Sequence, residues 1–307
     1  MERQGEIGAS RAAGRAIAWP YAVGLGAMHA LACLAVLPWL FDWRSVVLAI
    51  VGVFVFGQGI NLGYHRLLTH RSLALPLWLE RGFVILALCC LQETPAKWVA
   101  WHRAHHAHSD GAGDPHSPRV SFLWGHVTWL AFSREPGSAL GGYRRYAQDI
   151  LQDRFYRRLE QHPALAYLIY LAHAALFFAA GFGIGWAADD AAAGVRLGLS
   201  FLVWGVILRT VAVWHITWSV NSLTHLFGYR LYDTADNSRN NWLVGLIAVG
   251  EGWHNNHHHD QASVTTQHRW WELDFTYYLI WLLEVLGLAT ALVRPRHKRR
   301  DTRAPAV

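Results

Sequence analysis

Four stretches of this sequence, about residues 17–40, 46–63, 164–187 and 195–220, stay apolar over lengths that cross the roughly 30 Å hydrocarbon core of a bilayer. They come as two hairpins, one closed by the short link Phe41 to Ser45 and one by the acidic link at Asp189 and Asp190. A 53% hydrophobic, 16% charged composition supports a membrane protein over a soluble one. The basic residues set its orientation: three lie in the N-terminal tail, twelve between 64 and 162, and nine from 226 onward. Arg44 and Arg196 sit in the two hairpin turns, and Arg209 lies inside the fourth stretch. The tail, central segment and C-terminal region are therefore expected on the cytoplasmic side, with both termini cytoplasmic. The formal charge of +6 flanks membrane spans and forms no stripe on a soluble fold, so nucleic acid is not an expected partner.

The first apolar run is too long for a signal peptide and has no convincing cleavage site; it is expected to be a retained span, and no lipidation signal accompanies it. Residues 82–91 are too short to cross and are expected in the interface or re-entering it. Residues 277–293 contain Glu284 and precede a basic cluster, which suits a peripheral helix. One domain is expected over 1–295, with a cap from about 64–162 and 221–295, and a basic, disordered tail at 296–307. The three cysteines, Cys33, Cys89 and Cys90, lie in apolar runs and are too few for a disulfide framework or a thiolate metal site.

Histidine must then carry any metal. Nine of the 19 histidines form clusters of ligand spacing: His65 and His70 in GYHRLLTH, His102, His105 and His106 in WHRAHH, His254, His257 and His258 in GWHNNHH, and His225 in NSLTH. The topology brings all nine to one face of the membrane, since the second span returns just before His65 and the fourth just before Asn221 and His225. On a helix, positions i, i+3 and i+4 share a face, so each HxxHH triplet can aim three imidazoles at a common centre. His65 and His70, five apart, diverge by about 140° on a straight α-helix. They need a helix end or break between them, or they serve different metals. Nine imidazoles exceed the coordination of one ion, so two metals are expected. Imidazole suits zinc, copper, iron and nickel alike; the apolar setting favours redox iron. Glu93, Asp110, Asp114, Asp233, Asp236, Glu251 and Asp260 are candidates to orient metal-bound imidazoles, although each is first read as a solvated or capping charge.

HRLLTH, HRAHH with a downstream DPH, NSLTH followed by GYR and YD, and GEGWHNNHH together resemble the membrane fatty-acid desaturases, in particular the acyl-CoA delta-9 (stearoyl-CoA desaturase-like) group, over roughly residues 45–290. The resemblance implies an all-α integral membrane fold of four transmembrane helices in two hairpins, with a cytoplasmic helical cap holding a histidine-ligated di-iron site. It implies an O2-dependent desaturase that places a cis double bond, delta-9, in a saturated acyl chain. The nine boxed histidines match the ligands of two iron ions (Fe2+), and Asn221 matches an asparagine that holds a water near one metal. The substrate would be acyl-CoA or lipid-linked, with acyl-CoA slightly favoured. Against acyl-CoA, animal enzymes of the group carry an Arg-Asp pair before HRAHH for the coenzyme A head group, where this chain has Ala100 and Trp101. Arg144, Arg145, Arg157 and Arg158 offer basic groups elsewhere for its phosphates. Electrons would come from a separate ferredoxin, rubredoxin or cytochrome b5 type donor. Only Lys97 and Lys298 stand against 25 arginines, which suits a bacterial source and its inner membrane.

Two alternatives stay open at this point: a histidine-box di-iron hydroxylase of alkyl or acyl chains, and a histidine-rich metal transporter. Outside the boxes, His29, His173 and His215 within the spans are expected in interhelical hydrogen bonds. His116 and His126 are expected to support the cap, and His259 and His297 to be dispensable. Arg209 is expected to snorkel, to pair with a polar neighbour or to face the substrate cavity.

Overall fold

The computed structural model describes residues 17–132 and 140–298, with only the backbone described at 140–144 and 297. The N-terminal arginines, the tail beyond residue 298 and the side chains of Arg144 and His297 lie outside the described residues. In chain order the helices are α1 (Trp19–Val36), α2 (Trp43–Thr69), α3 (Leu77–Leu88), α4 (Pro95–His108), α5 (Trp124–Thr128 continuing as Trp129–Phe132) and α6 (Leu140–Gln152). There follow α7 (Arg154–Gln161), α8 (Ala164–Ala188), α9 (Ala191–His225), α10 (Trp242–Ile247), α11 (His254–His259) and α12 (Phe275–Val285). Among the described residues, strand-like pairing is limited to three isolated bridges.

The four long apolar helices α1, α2, α8 and α9 are the expected spans. Both hairpin turns restart a helix through an aspartate cap: Asp42 accepts the Arg44 N–H, and Asp190 accepts the Ala193 N–H. Along α8 and α9 the backbones meet at Gly181, Gly185, Gly194 and Gly198, where any Cβ would lie within 3 Å of the facing helix. Close approach of this kind compensates for the weak hydrophobic drive between helices in lipid. Large apolar side chains such as Ile50, Phe54, Leu171 and Leu176 remain on the outer faces, as lipid contact requires.

Two spans are longer than the sequence suggested. At 1.5 Å per residue, α2 (27 residues) runs about 40 Å and α9 (35 residues) about 52 Å, both beyond a hydrocarbon core of about 30 Å. Hydropathy marks only the apolar portion of each helix. The overhangs carry His65, Asn221 and His225, which therefore sit on the spans themselves and not just after them.

The overhang of α2 packs against α3. Over Gly59–Thr69 the helix is wound wide, and a Cβ on Gly59 would come within 2.3 Å of the Ala87 backbone nitrogen. Helix α3, 12 residues long, is too short to cross, and its C-terminal carbonyls are gripped from α9. Arg209 donates to Cys89 O at 2.9 Å and Trp214 to Cys90 O at 2.6 Å. Fully buried, Arg209 also donates to His173 Nε2 at 2.8 Å and lies 3.9 Å over the Phe56 ring. Of the roles expected for it, pairing with polar neighbours is the one observed. His29 and His215 bond each other at 3.0 Å, and His215 bonds His126 at 3.0 Å, as interhelical histidines should.

Helix α12 has 11 residues, too few to cross. The chain returns from it to pair Thr290 with Ala74, and Glu284 meets Arg294 at 2.5 Å. The contact at Gly59 yields a prediction. Gly59→Ala should destabilise the protein by roughly 1–3 kcal/mol, because backbone cannot yield to the added methyl, whereas Gly57→Ala, with nothing within 4 Å, should be neutral or mildly stabilising. Thermal unfolding in detergent checks the contrast, and equal melting temperatures would refute the packing.

Candidate metal centre

The nine boxed histidines assemble into two adjoining groups. His65, His70, His102, His106 and His257 form one, and His105, His225, His254 and His258 the other; within each, the ligand nitrogens lie within 4.8 Å of one another. Rings of the two groups touch, with His106 and His258 centroids 4.5 Å apart.

Each HxxHH triplet divides between the groups and does not converge on one point. Residues four apart are separated by about 40° around a helix, but the i+3 residue lies about 60° to the other side of the first. His102 and His106 therefore stay together, with Nε2 atoms 3.0 Å apart, while His105 turns to the second group. Helix α11 repeats this in reverse: His254 and His258 pair at 3.0 Å in the second group and His257 crosses to the first, 3.0 Å from His106.

The helix end expected between His65 and His70 falls at Thr69, with His70 as the cap residue. The wide winding closes an i→i+5 bond from the His70 N–H to His65 O at 3.1 Å, which carries residues five apart back onto one face. Their rings stand 4.7 Å apart in the same group, so they do not serve different metals by position.

Four carboxylates fix the rings from behind. Glu251 meets His65 Nδ1 at 2.9 Å, Asp114 meets His105 Nδ1 at 3.0 Å, Asp110 meets His225 Nδ1 at 3.1 Å and Asp236 meets His258 Nδ1 at 2.5 Å. An Nδ1–H held by a carboxylate leaves Nε2 as the lone-pair atom facing the group. The first reading of these four as solvated or capping charges is thus corrected: long-range folding places them on imidazoles. Asp233 is exposed and lies beside Arg230, while Asp260 pairs with Arg296 and Glu93 with Lys97.

Electrostatics keep several of the donors neutral. Burial, followed by the fields of neighbouring histidines, holds His70, His102, His106, His254 and His257 well below the ordinary imidazole range. At His105 burial also acts downward, but the Asp114 carboxylate overrides it and raises the ring. Burial would raise the Glu251 carboxyl; the Arg66 charge, then His65, brings it down to about 2.

Three observations suit these groups to metal ions. Two ligands at right angles, each about 2.1 Å from an ion, stand about 3.0 Å apart, the spacing found for three Nε2 pairs here. His70 Nε2 and His105 Nε2 are buried without any hydrogen-bond partner. All nine donors are imidazoles, which suit zinc, copper, iron or nickel.

Some supporting residues had no signal in the spacing. Arg66, fully buried beside His65, bonds Glu251 at 2.7 Å and Asp274 at 2.9 Å, and Arg103 ties Leu68 O and Thr69 O to Asp149. Asn255 accepts the N–H groups of Leu231 and Tyr232, and Asn256 donates to Thr266 O and Glu272, which locks α11 in place. His116 stacks on His105 at 4.4 Å, the supporting role expected of it. His259 stacks on Tyr232 at 3.8 Å, outside both groups.

Beside the first group lies an apolar cavity of about 90 Å³ walled by Trp98, Trp101, Trp129, Trp214 and Trp218, with His102, His116 and Asn221 also in its lining. Trp98 stacks on His102 at 4.9 Å, and Gln92 donates to Thr217 at 3.0 Å across the wall. A second cavity, of about 170 Å³, shares Tyr21, Leu25, Leu91, Glu93 and Trp214 with the first and lies between α1 and α8. Together they form a narrow passage lined by groups that suit a long apolar ligand.

Comparison with known proteins gives consistent results. The family model described as "Fatty acid desaturase" matches residues 37–283. The chain is 38% identical over 291 residues to an sn-2 palmitoyl-lipid 9-desaturase of Nostoc sp. (strain 36), covering 94% of this chain and 95% of that one. It is 41% identical over 264 residues to an sn-1 stearoyl-lipid 9-desaturase of Anabaena variabilis, covering 86% and 89%. It is 40% identical over 283 residues to an acyl-CoA 5-desaturase of Anemone leveillei, covering 90% and 80%.

The carboxylate contacts carry their own prediction. Asp236→Asn and Glu251→Gln should each weaken metal retention about 10- to 100-fold while leaving the helical fold intact. Metal content after graded chelator treatment, with circular dichroism alongside, measures this; unchanged retention in both would show that the carboxylates do not orient ligands.

Proposed function

The chain belongs to the fatty acid desaturase family, a membrane oxidoreductase that desaturates fatty acyl chains by metal-dependent, oxygen-using chemistry with an electron donor, and we propose that its nine boxed histidines hold two iron ions for delta-9 desaturation. The single observation that carries the metal assignment is the division of the histidines into groups of five and four, each with its nitrogens gathered to one point. Imidazole alone does not choose the metal; the oxidative reaction favours iron over zinc. Bound iron, with O2, supplies the oxidising power to remove two hydrogens from an unactivated chain.

The protein's own residues do the rest. Glu251, Asp114, Asp110 and Asp236 aim imidazoles inward. Trp98, Trp101, Trp129 and Trp218 line the cavity beside His102, where they would exclude water and seat two neighbouring methylenes of the chain next to the histidine groups. Asn221, which lines the same cavity, would hold a water near one metal.

We assign the acyl chain to a glycerolipid carrier. The motifs alone lean slightly toward acyl-CoA, but three observations move the balance: Ala100 and Trp101 replace the head-group pair, the passage opens between membrane helices, and two close relatives are named as acyl-lipid 9-desaturases. The basic residues support cytoplasmic termini and cap, a bacterial inner membrane, and docking of an acidic donor of ferredoxin, rubredoxin or cytochrome b5 type. A single domain over 1–295 accommodates all of this, because the cap is built on overhangs of the spans.

Expression in a host lacking its own desaturase, with double-bond localisation by mass spectrometry, should show cis-9 unsaturation; alcohol products would favour the hydroxylase reading. His257→Ala should abolish turnover and lower metal content, whereas His259→Ala should remain active. Asn221→Ala should lower activity yet retain most metal, since an amide-held water contributes less than a direct imidazole. Loss of one metal ion per chain in that variant would mean that Asn221 binds directly.

A further inference from the structure

The two halves of the acyl passage share a neck, and the neck carries two polar side chains. Of the residues common to both cavities, Leu25, Leu91 and Trp214 are apolar, but Tyr21 and Glu93 are not. Lys97 stands behind them: its ammonium is 2.5 Å from the Tyr21 hydroxyl and 3.4 Å from the Glu93 carboxylate, and it lies 5.1 Å over the rings of Tyr21 and Trp101. Glu93 and Lys97 keep only 17% and 13% of their side chains exposed. An ion pair this enclosed is costly to desolvate, so an apolar passage with no polar ligand would be better lined by hydrophobic residues. The backbone is strained at the same place. Leu91 and Glu93 both take left-handed conformations, with φ of 51° and 73°, which non-glycine residues rarely adopt.

The outer cavity identifies what comes through. It is bounded by Pro20, Gly24 and Met28 along the first half of α1 and by Pro163, Ala166 and Tyr167 near the start of α8. Both are ends of membrane spans, so the opening faces sideways at the level where lipid head groups meet acyl chains. One rigid element links the two places: Lys97 and His102 both stand on α4, five residues apart.

We propose that Tyr21, Lys97 and Glu93 form the station that receives the ester end of a glycerolipid-linked acyl chain, entering sideways between α1 and α8, and that this station sets the double-bond position by fixing the carbonyl end. The ester carbonyl accepts from the Tyr21 hydroxyl, which the Lys97 ammonium holds from behind, and the glycerol oxygens stay at the lateral opening. The proposal rests on the lipid-linked reading of the substrate.

The test uses the full-length, metal-loaded enzyme in nanodiscs with a reducing system, offered either phosphatidylglycerol bearing a deuterated stearoyl chain or deuterated stearoyl-CoA with acyl exchange blocked. Three variants are compared with the unaltered protein: Tyr21→Phe, the paired change Glu93→Gln with Lys97→Met, which leaves no buried charge alone, and Gly24→Leu, which fills the outer cavity at a position with nothing within 4 Å. The first two should raise KM for the lipid about tenfold, the loss expected for one charge-assisted hydrogen bond, and should scatter the double bond over neighbouring positions. Gly24→Leu should cut lipid turnover while keeping the metal and the single position. If the unaltered enzyme uses only stearoyl-CoA, the carrier reading fails and the station fails with it. If it desaturates the lipid while all three variants keep the KM and the position, the carrier reading stands and the station is refuted. Should the paired variant lose its metal, Tyr21→Phe and Gly24→Leu, which disturb no charge, decide the matter.

Discussion

Carboxylate-to-imidazole hydrogen bonds are the interaction on which the rest of this structure depends. Nine imidazoles gathered in two buried groups would repel one another if protonated, and burial makes each charged form costlier still. The arrangement persists because most rings are held neutral while Asp114, Glu251, Asp110 and Asp236 take up the outward N–H of four of them. These carboxylates are stabilised in turn: Glu251 by Arg66, Asp236 by Ser238, and Asp110 by the Asn237 N–H. The donors therefore point inward before any ion arrives, so little ordering remains to be done on binding.

Helix winding supplies the geometry that those bonds hold. The second and fourth spans do not stop at the membrane boundary; they continue into the cap and deliver His65 and His225 on rigid rods. The wide winding of Gly59–Thr69 brings His65 and His70 to one face, and close contact between Gly59 and α3 leaves it little room to relax. Helices α4 and α11 then exchange ligands, each sending an i, i+4 pair to one group and its third histidine to the other. The two groups are thus tied together through both helices, and displacement of either helix would disturb both.

The sequence made the spans, the boxes and their meeting on one face legible, because apolar length and histidine spacing are local signals. Three features escaped it for physical reasons. Hydropathy cannot see the polar overhang of a helix, so His65 and His225 were expected beyond the spans. Spacing gives angles around one helix but not the position of a second target, so the split of His105 from His102 and His106, and of His257 from His254 and His258, was hidden. The partner of a buried imidazole is chosen by tertiary contact: Asp110 reaches His225 across 115 residues, and nothing near either residue announces it. The tryptophans of the cavity are hidden for the same reason: only tertiary contact brings Trp98, Trp101 and Trp214 to one passage.

The central claim is that this chain binds two iron ions in unequal histidine environments, one drawn from a group of five and the other from a group of four. Mössbauer spectroscopy of protein grown on 57Fe, with total iron determined per chain, tests it most directly. The account predicts two iron ions per chain and two quadrupole doublets of equal area in the reduced state. One iron per chain in an active enzyme, or an active enzyme holding only zinc, would contradict it.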